Sequence, residues 1–203
     1  MRFLLISICF LFISCGSYPK KQHLELSDTP LKSIENPYFS DASIDYVYKA
    51  SIDVYKRNFS GLLIIKKIAE EQHRVAFTTE MGNKLFDFTF TEDNFQVNFI
   101  LEELDKNLLI QVLEKDFRVL VTQNLIISNS YTNIQYPVYQ TQINNKNHYY
   151  FFEDNELTKV VRSKYGKEKV RFLFSEIKHR IAHQIKIKHQ NIPLEINLKS
   201  IIQ

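Results

Sequence analysis

Glu176, His179 and His183 are spaced so that a helix would carry all three on one face, where two imidazoles and a carboxylate can bind a divalent metal. The same stretch also reads another way. His179, Ile181, His183, Ile185, Ile187 and His189 recur at every second position, the period of one face of a strand. With no cysteine or aspartate close by, the strand reading is preferred, the histidines belong at a sheet rim, and no metal is expected. Serine, histidine and aspartate occur elsewhere, but no nucleophile elbow, glycine-rich phosphate loop or HExxH helix brings them into register. The chain is therefore read as a non-enzyme without a cofactor.

A second reactive side chain is Cys15. The sequence opens MRFLLISICFLFISC, with one arginine and an apolar run broken only by Ser7 and Cys9 before Ser14 and Cys15. A membrane-spanning helix needs about 20 apolar residues. This run stops short of that and has the n-region and h-region of a signal peptide. Phe12-Ile13-Ser14-Cys15 resembles the bacterial lipobox, with phenylalanine where leucine is usual. That resemblance implies a lipoprotein signal peptide over 1–14 and acylation of Cys15 as the new N-terminus. An ordinary secretory signal with an incidental Cys15 is the alternative. Cys9 lies in the removed part, so an acylated Cys15 leaves no disulfide, free thiol or cysteine ligand. Gly16 and the lack of acidic residues in GSYPKK resemble outer-membrane sorting signals, and that resemblance favours the periplasmic face of the outer membrane while leaving the membrane side open.

Composition narrows the partners. The net charge of +3 becomes +2 once Arg2 is removed, and no basic block carries interleaved aromatics, so nucleic acid is not an expected partner. The chain has 16 Phe and 11 Tyr against 4 Gly, a bias towards strands.

Tyr18 to Ala42 holds Pro19, Pro30 and Pro37 with no sustained period, so 15–43 is read as the lipidated cysteine and a tether, and 44–203 as one domain. From Ile44 onward the period is mostly two. Strands are expected over 44–54, 60–65, 73–79, 84–91 and 95–99, then over 136–143, 148–152, 157–163, 170–174, 181–189 and 192–198. Residues 101–117, LEELDKNLLIQVLEKDF, instead have helical spacing, with Asp105 as the N-cap. Roughly ten strands and one helix predict a mainly β fold: a curved antiparallel sheet forming a half-open β-barrel, with the helix as a lid across its mouth. Phe77, Phe86, Phe88, Phe90, Leu108 and Val112 would then line a hydrophobic cavity or pack a solid core; periodicity does not separate the two.

Between two of these strands runs TTEMGNK, a turn with Met81 before Gly82. Met81 either projects into solvent or folds back onto the sheet.

Residues 61–90, GLLIIKKIAEEQHRVAFTTEMGNKLFDFTF, are similar to the corresponding segment of the LolA/LolB lipoprotein-localisation superfamily, through Gly61, Arg74 to Phe77, Met81-Gly82 and Leu85 to Phe88. NIPLEINLKSI, at 191–201, resembles its closing strand. Glu80 stands where the family often has proline, and a Pro-containing segment replaces the family's N-terminal helix. The resemblance implies an open barrel with a helical lid and an apolar cavity. An anchored chain is similar to the LolB receptor, a monomer that takes lipoprotein acyl chains from a soluble LolA-like periplasmic carrier, with the position of Met81 touching the membrane. A carrier or sensor of another hydrophobic ligand, or a non-catalytic interaction module with a filled core, are the alternatives.

Overall fold

The computed structural model describes residues 16–133 and 136–201, so Cys15 and the signal segment lie outside the described residues. A short helix α1 (Tyr18–Lys21) is followed by β1 (Glu25–Leu26), β2 (Ser33–Glu35), β3 (Tyr46–Val54), β4 (Arg57–Ala69), β5 (Gln72–Thr78), β6 (Lys84–Phe90) and β7 (Phe95–Ile100). Helix α2 (Asn107–Val121) then leads into β8 (Asn124–Asn133), β9 (Tyr136–Ile143), β10 (Lys146–Glu153), β11 (Glu156–Lys164), β12 (Lys167–Lys178), β13 (Ile181–His189) and β14 (Leu194–Ser200).

All strands join one antiparallel sheet, ordered β1-β8-β9-β10-β11-β12-β13-β14-β3-β4-β5-β6-β7, with β2 also on β8. The last strand returns beside β3 in a register that sets Ile196 against Ile52 and Leu198 against Ala50. The sheet curves around α2 but its ends do not pair, which gives the half-open barrel.

Alternation decides the faces. Tyr46, Tyr48, Ala50, Ile52 and Val54 are buried at every second position of β3, and Leu63, Ile65, Val75 and Phe77 continue that inner face on β4 and β5. The buried half of α2, with Leu113, Phe117 and Leu120, fills the concavity. Phe86 stacks on Phe88 at 4.5 Å between ring centroids and meets Phe117 at 5.7 Å.

The helix differs from expectation at both ends. Leu101 to Asp105 form turns, with Leu104 N–H donating to Leu101 O at 2.8 Å, and Lys106 is extended at φ −124°, so Asp105 is not the cap and no side chain caps the first turn. The helix instead continues to Val121, where Asn36 Nδ2 donates to Leu120 O at 2.8 Å and the Arg118 guanidinium donates to the carbonyls of Thr91, Glu92 and Asn94. The C-terminal end is thus pinned and the N-terminal end is not.

The expected tether is docked instead of free. Tyr18 and Leu24 pack on the outer face against Tyr149, Phe151 and Val161, and β1 and β2 pair along β8, covering what would otherwise be a sheet edge. The segment then turns inward, where Ile34, Tyr38 and Phe39 join the main core and Tyr38 Oη donates to Leu157 O at 2.5 Å. A strap of this kind holds by single apolar anchors between prolines and leaves no period to read.

Candidate ligand groove and rim

Because successive strands reverse direction, the β3–β4, β5–β6, β11–β12 and β13–β14 turns lie on one rim of the sheet. Beneath the unpinned half of α2, a groove of about 530 Å³ opens at this rim. Its walls are Val54 and Phe59 beside the β3–β4 turn, Ile192 to Leu194 on the β13–β14 side, and Leu104, Leu108, Leu109 and Val112 above. The lining is almost wholly apolar; the charges sit at the mouth, where Arg57 pairs with Glu103 at 3.3 Å near Lys56 and Lys106.

Of the residues expected in a cavity, Leu108 and Val112 line this groove, with Leu108 59% exposed above it. Phe77, Phe86 and Phe88 do not: each is fully buried, because their inward parity aims them at the half of the barrel that Phe117 and Leu120 fill. Phe90 lines a separate, more polar cleft at the other end of α2, where the Arg118 guanidinium lies 5.5 Å from its ring centre. Phe59, Leu109, Ile192, Pro193 and Leu194 were missed as lining residues. The helical period carries a signal for Leu109 and strand alternation one for Ile192 and Leu194, whereas Phe59 and Pro193 reach the groove through turn geometry.

Met81 stands at the tip of its turn, 92% exposed, and does not fold back onto the sheet. Thr79 closes the turn, its amide donating to Asn83 O at 2.8 Å and its carbonyl accepting from Gly82 at 2.9 Å, while Gly82 takes φ +87°. At the base, Gly61 is fixed by contact: a Cβ there would lie 1.9 Å from Thr78 O. Further along the same rim, the Gly16 carbonyl packs against Gly166, where an added Cβ would meet it at 2.0 Å. The residue that follows Cys15 in sequence is therefore held at the β11–β12 turn.

The histidines separate. His179 lies in the exposed β12–β13 turn at φ +50°, and Glu176 accepts from Gln184 at 2.6 Å. No group of three metal-ligating side chains forms among the described residues. His189, the last residue of β13 beside the rim turn, is buried, with Nε2 2.6 Å from Asp116 Oδ2 on α2.

No protein-family model and no curated protein matches the sequence. In structure the chain is similar to a LolA superfamily protein from Nitrosomonas europaea, with 6% identity, a TM-score of 0.48, and 81% of this chain and 87% of that one covered. It is also similar to a putative outer membrane lipoprotein-sorting protein domain from Vibrio parahaemolyticus, at 8% identity and a TM-score of 0.39 over 77% of this chain and 83% of that one. A DUF1329 family protein from Desulfovibrio piger gives 7% identity and a TM-score of 0.39, covering 78% and 84% of the two chains. Likeness at these values assigns neither a family, a ligand nor a partner.

Proposed function

We propose that this chain is a membrane-anchored acceptor of acyl-bearing lipoproteins, receiving them from a soluble periplasmic carrier and passing them to the periplasmic face of the outer membrane, without catalysis. The observation that carries the reading is the placement of an apolar groove, the exposed Met81 tip and Gly16 on one rim of the sheet. A volume of about 530 Å³ falls within the range of ligand pockets. Each methylene moved from water into such a groove contributes about 0.8 kcal/mol, and the same methylene gains as much in lipid, so delivery runs between two apolar sites of similar affinity. Cys15 supplies the anchor, and Met81 supplies a flexible thioether that enters the acyl layer without fixed geometry.

A second reading, a carrier or sensor of another hydrophobic ligand, draws on the same groove: the phenylalanines of β6 fill part of the barrel and leave an open slot. Binding of a fluorescent triacyl lipopeptide, followed by its appearance in vesicles, separates the two. The acceptor reading expects saturable binding that is weakened by Leu109→Asp and followed by transfer. Binding of free fatty acid without lipopeptide would favour the carrier, and no binding of either would leave an interaction module.

A further inference from the structure

Beside the groove lies a second depression of about 340 Å³ with a basic wall, formed by Lys115 of α2, Lys146 of β10, Arg162 and Lys164 of β11, and Lys169 of β12. The two spaces adjoin. Val112 lines both, and on the β13–β14 turn Asn191 faces the basic pocket while Ile192 and Pro193 line the groove. Among the described residues, no ion pair ties any of these five cations to a carboxylate. Of the acidic neighbours on the helix, Glu114 pairs with Arg118 at 2.8 Å and Asp116 with His189 at 2.6 Å, and their charges offset only part of the wall, Glu114 acting on Lys146 and Asp116 on Arg162. Lys146 registers the crowding: burial, and then the charges of Lys115, Arg162 and Lys164, make it easier to deprotonate. Like charges converging in a concavity favour a bound anion.

A buried group points to the same place. His148, 2% exposed, lines a narrow cleft with Lys115, Lys146 and Arg162. Its Nδ1 donates to Lys146 O at 2.9 Å, and its Nε2 has no hydrogen-bond partner among the described residues. Negative charge in the cleft would favour the protonated ring, whose Nε2 then donates.

We propose that the basic pocket holds the phosphate of an anionic amphiphile whose acyl chain lies in the adjoining groove, which makes acidic glycerophospholipids the ligand class. The inference rests on the groove being an acyl site, and its test keeps the two apart.

Native mass spectrometry of the full chain, offered lysophosphatidylglycerol, lysophosphatidylcholine and a monoacylglycerol of one chain length at equal concentrations, gives the comparison. All three should bind, with lysophosphatidylglycerol favoured about tenfold. Lys115→Gln/Lys146→Gln should remove the preference and leave the monoacylglycerol signal unchanged; Lys146→Gln alone gives the same reading, smaller, if the double variant does not fold. If none of the three binds, the groove is not an acyl site and both readings fall. If all bind equally, or the preference survives both variants, the headgroup site is overturned and the acyl groove stands. Inorganic phosphate, titrated by calorimetry into Leu109→Asp, supplies the last arm. Weak binding there is expected, whereas phosphate held as tightly as the lysolipid would make this a free-anion site and overturn the headgroup assignment.

Discussion

His189 Nε2 and Asp116 Oδ2 lie 2.6 Å apart in the seam between β13 and α2, both sealed from solvent. Burial pushes the Asp116 carboxyl above the usual carboxylate range, and its Oδ1 has no hydrogen-bond partner among the described residues. Removing either partner strands the other in an apolar seam, so Asp116→Ala and His189→Ala should each lose about 3 kcal/mol. Replacing both by leucine should recover most of that loss, because no polar group is then left unpaired. Urea midpoints of the two singles and the double give the answer; a double no more stable than the singles refutes it.

Met81 gives a prediction in which stability and delivery part company. Met81→Glu should change stability by less than about 0.5 kcal/mol, since the side chain is 92% exposed. Transfer of lipopeptide into vesicles should drop sharply, because a charge at the tip resists the acyl region by roughly 2.5–3.5 kcal/mol. Met81→Leu should transfer normally. Normal delivery by Met81→Glu would leave the turn without a membrane role.

His148 should impose a pH dependence. Burial lowers its pKa to about 4, against the hydrogen bond to Lys146 O that raises it. The folded ring is neutral while the unfolded ring protonates near pH 6.5, so the unfolded chain binds the extra proton between those values. Its contribution is therefore intact above the unfolded pKa and is lost as pH falls towards the folded one, by at most about 1.4 kcal/mol per pH unit. In a phosphate-free buffer, His148→Gln should flatten the fall in stability between about pH 7 and about pH 5 relative to the parent. Equal slopes for both proteins would show that the ring titrates freely.

The docked strap predicts a cost at Asn36. Its Nδ2 reaches Leu120 O at 2.8 Å, and its Oδ1 accepts from Tyr38 N at 3.1 Å, in a site 1% exposed. Asn36→Ala leaves a helix carbonyl and an amide unpaired and should cost about 2 kcal/mol. Chemical denaturation reads this directly, and a cost near zero would mean the strap stabilises nothing.

Gly61 is constrained by its neighbour across the sheet. Gly61→Ala must displace Thr78 O, which lies 1.9 Å from the new carbon, and should destabilise by about 1–3 kcal/mol. A thermal melt equal to the parent's would show that β4 and β5 separate at little cost.

Strands with a buried face were legible because parity repeats. Tyr136–Ile143 and Ile181–His189 are read from the sequence to the residue. The helix was legible as an element but was displaced towards the N-terminus, because Leu101 and Leu104 match the helical period although they lie in a turn. The strap was missed because Tyr18, Ile34, Tyr38 and Phe39 act singly, on different faces, with prolines between them. In the groove, Leu108 and Val112 followed from helical spacing, whereas Phe86 and Phe88 gave the same alternating signal as a cavity wall and proved to be core. The basic pocket draws on α2 and on the three successive strands β10 to β12, and no local pattern announces it.

The unequal anchoring of α2 bears on how long a ligand stays. The end held by Asn36 and Arg118 moves only with the whole fold, whereas the uncapped first turn, over the groove, frays at the cost of a few backbone bonds. For the acyl ligand proposed above, residence time would then be governed by that single turn and not by global stability. Substitutions that tighten the core should then leave release of such a ligand unchanged, whereas a serine in place of Lys106, which would cap the turn, should slow it.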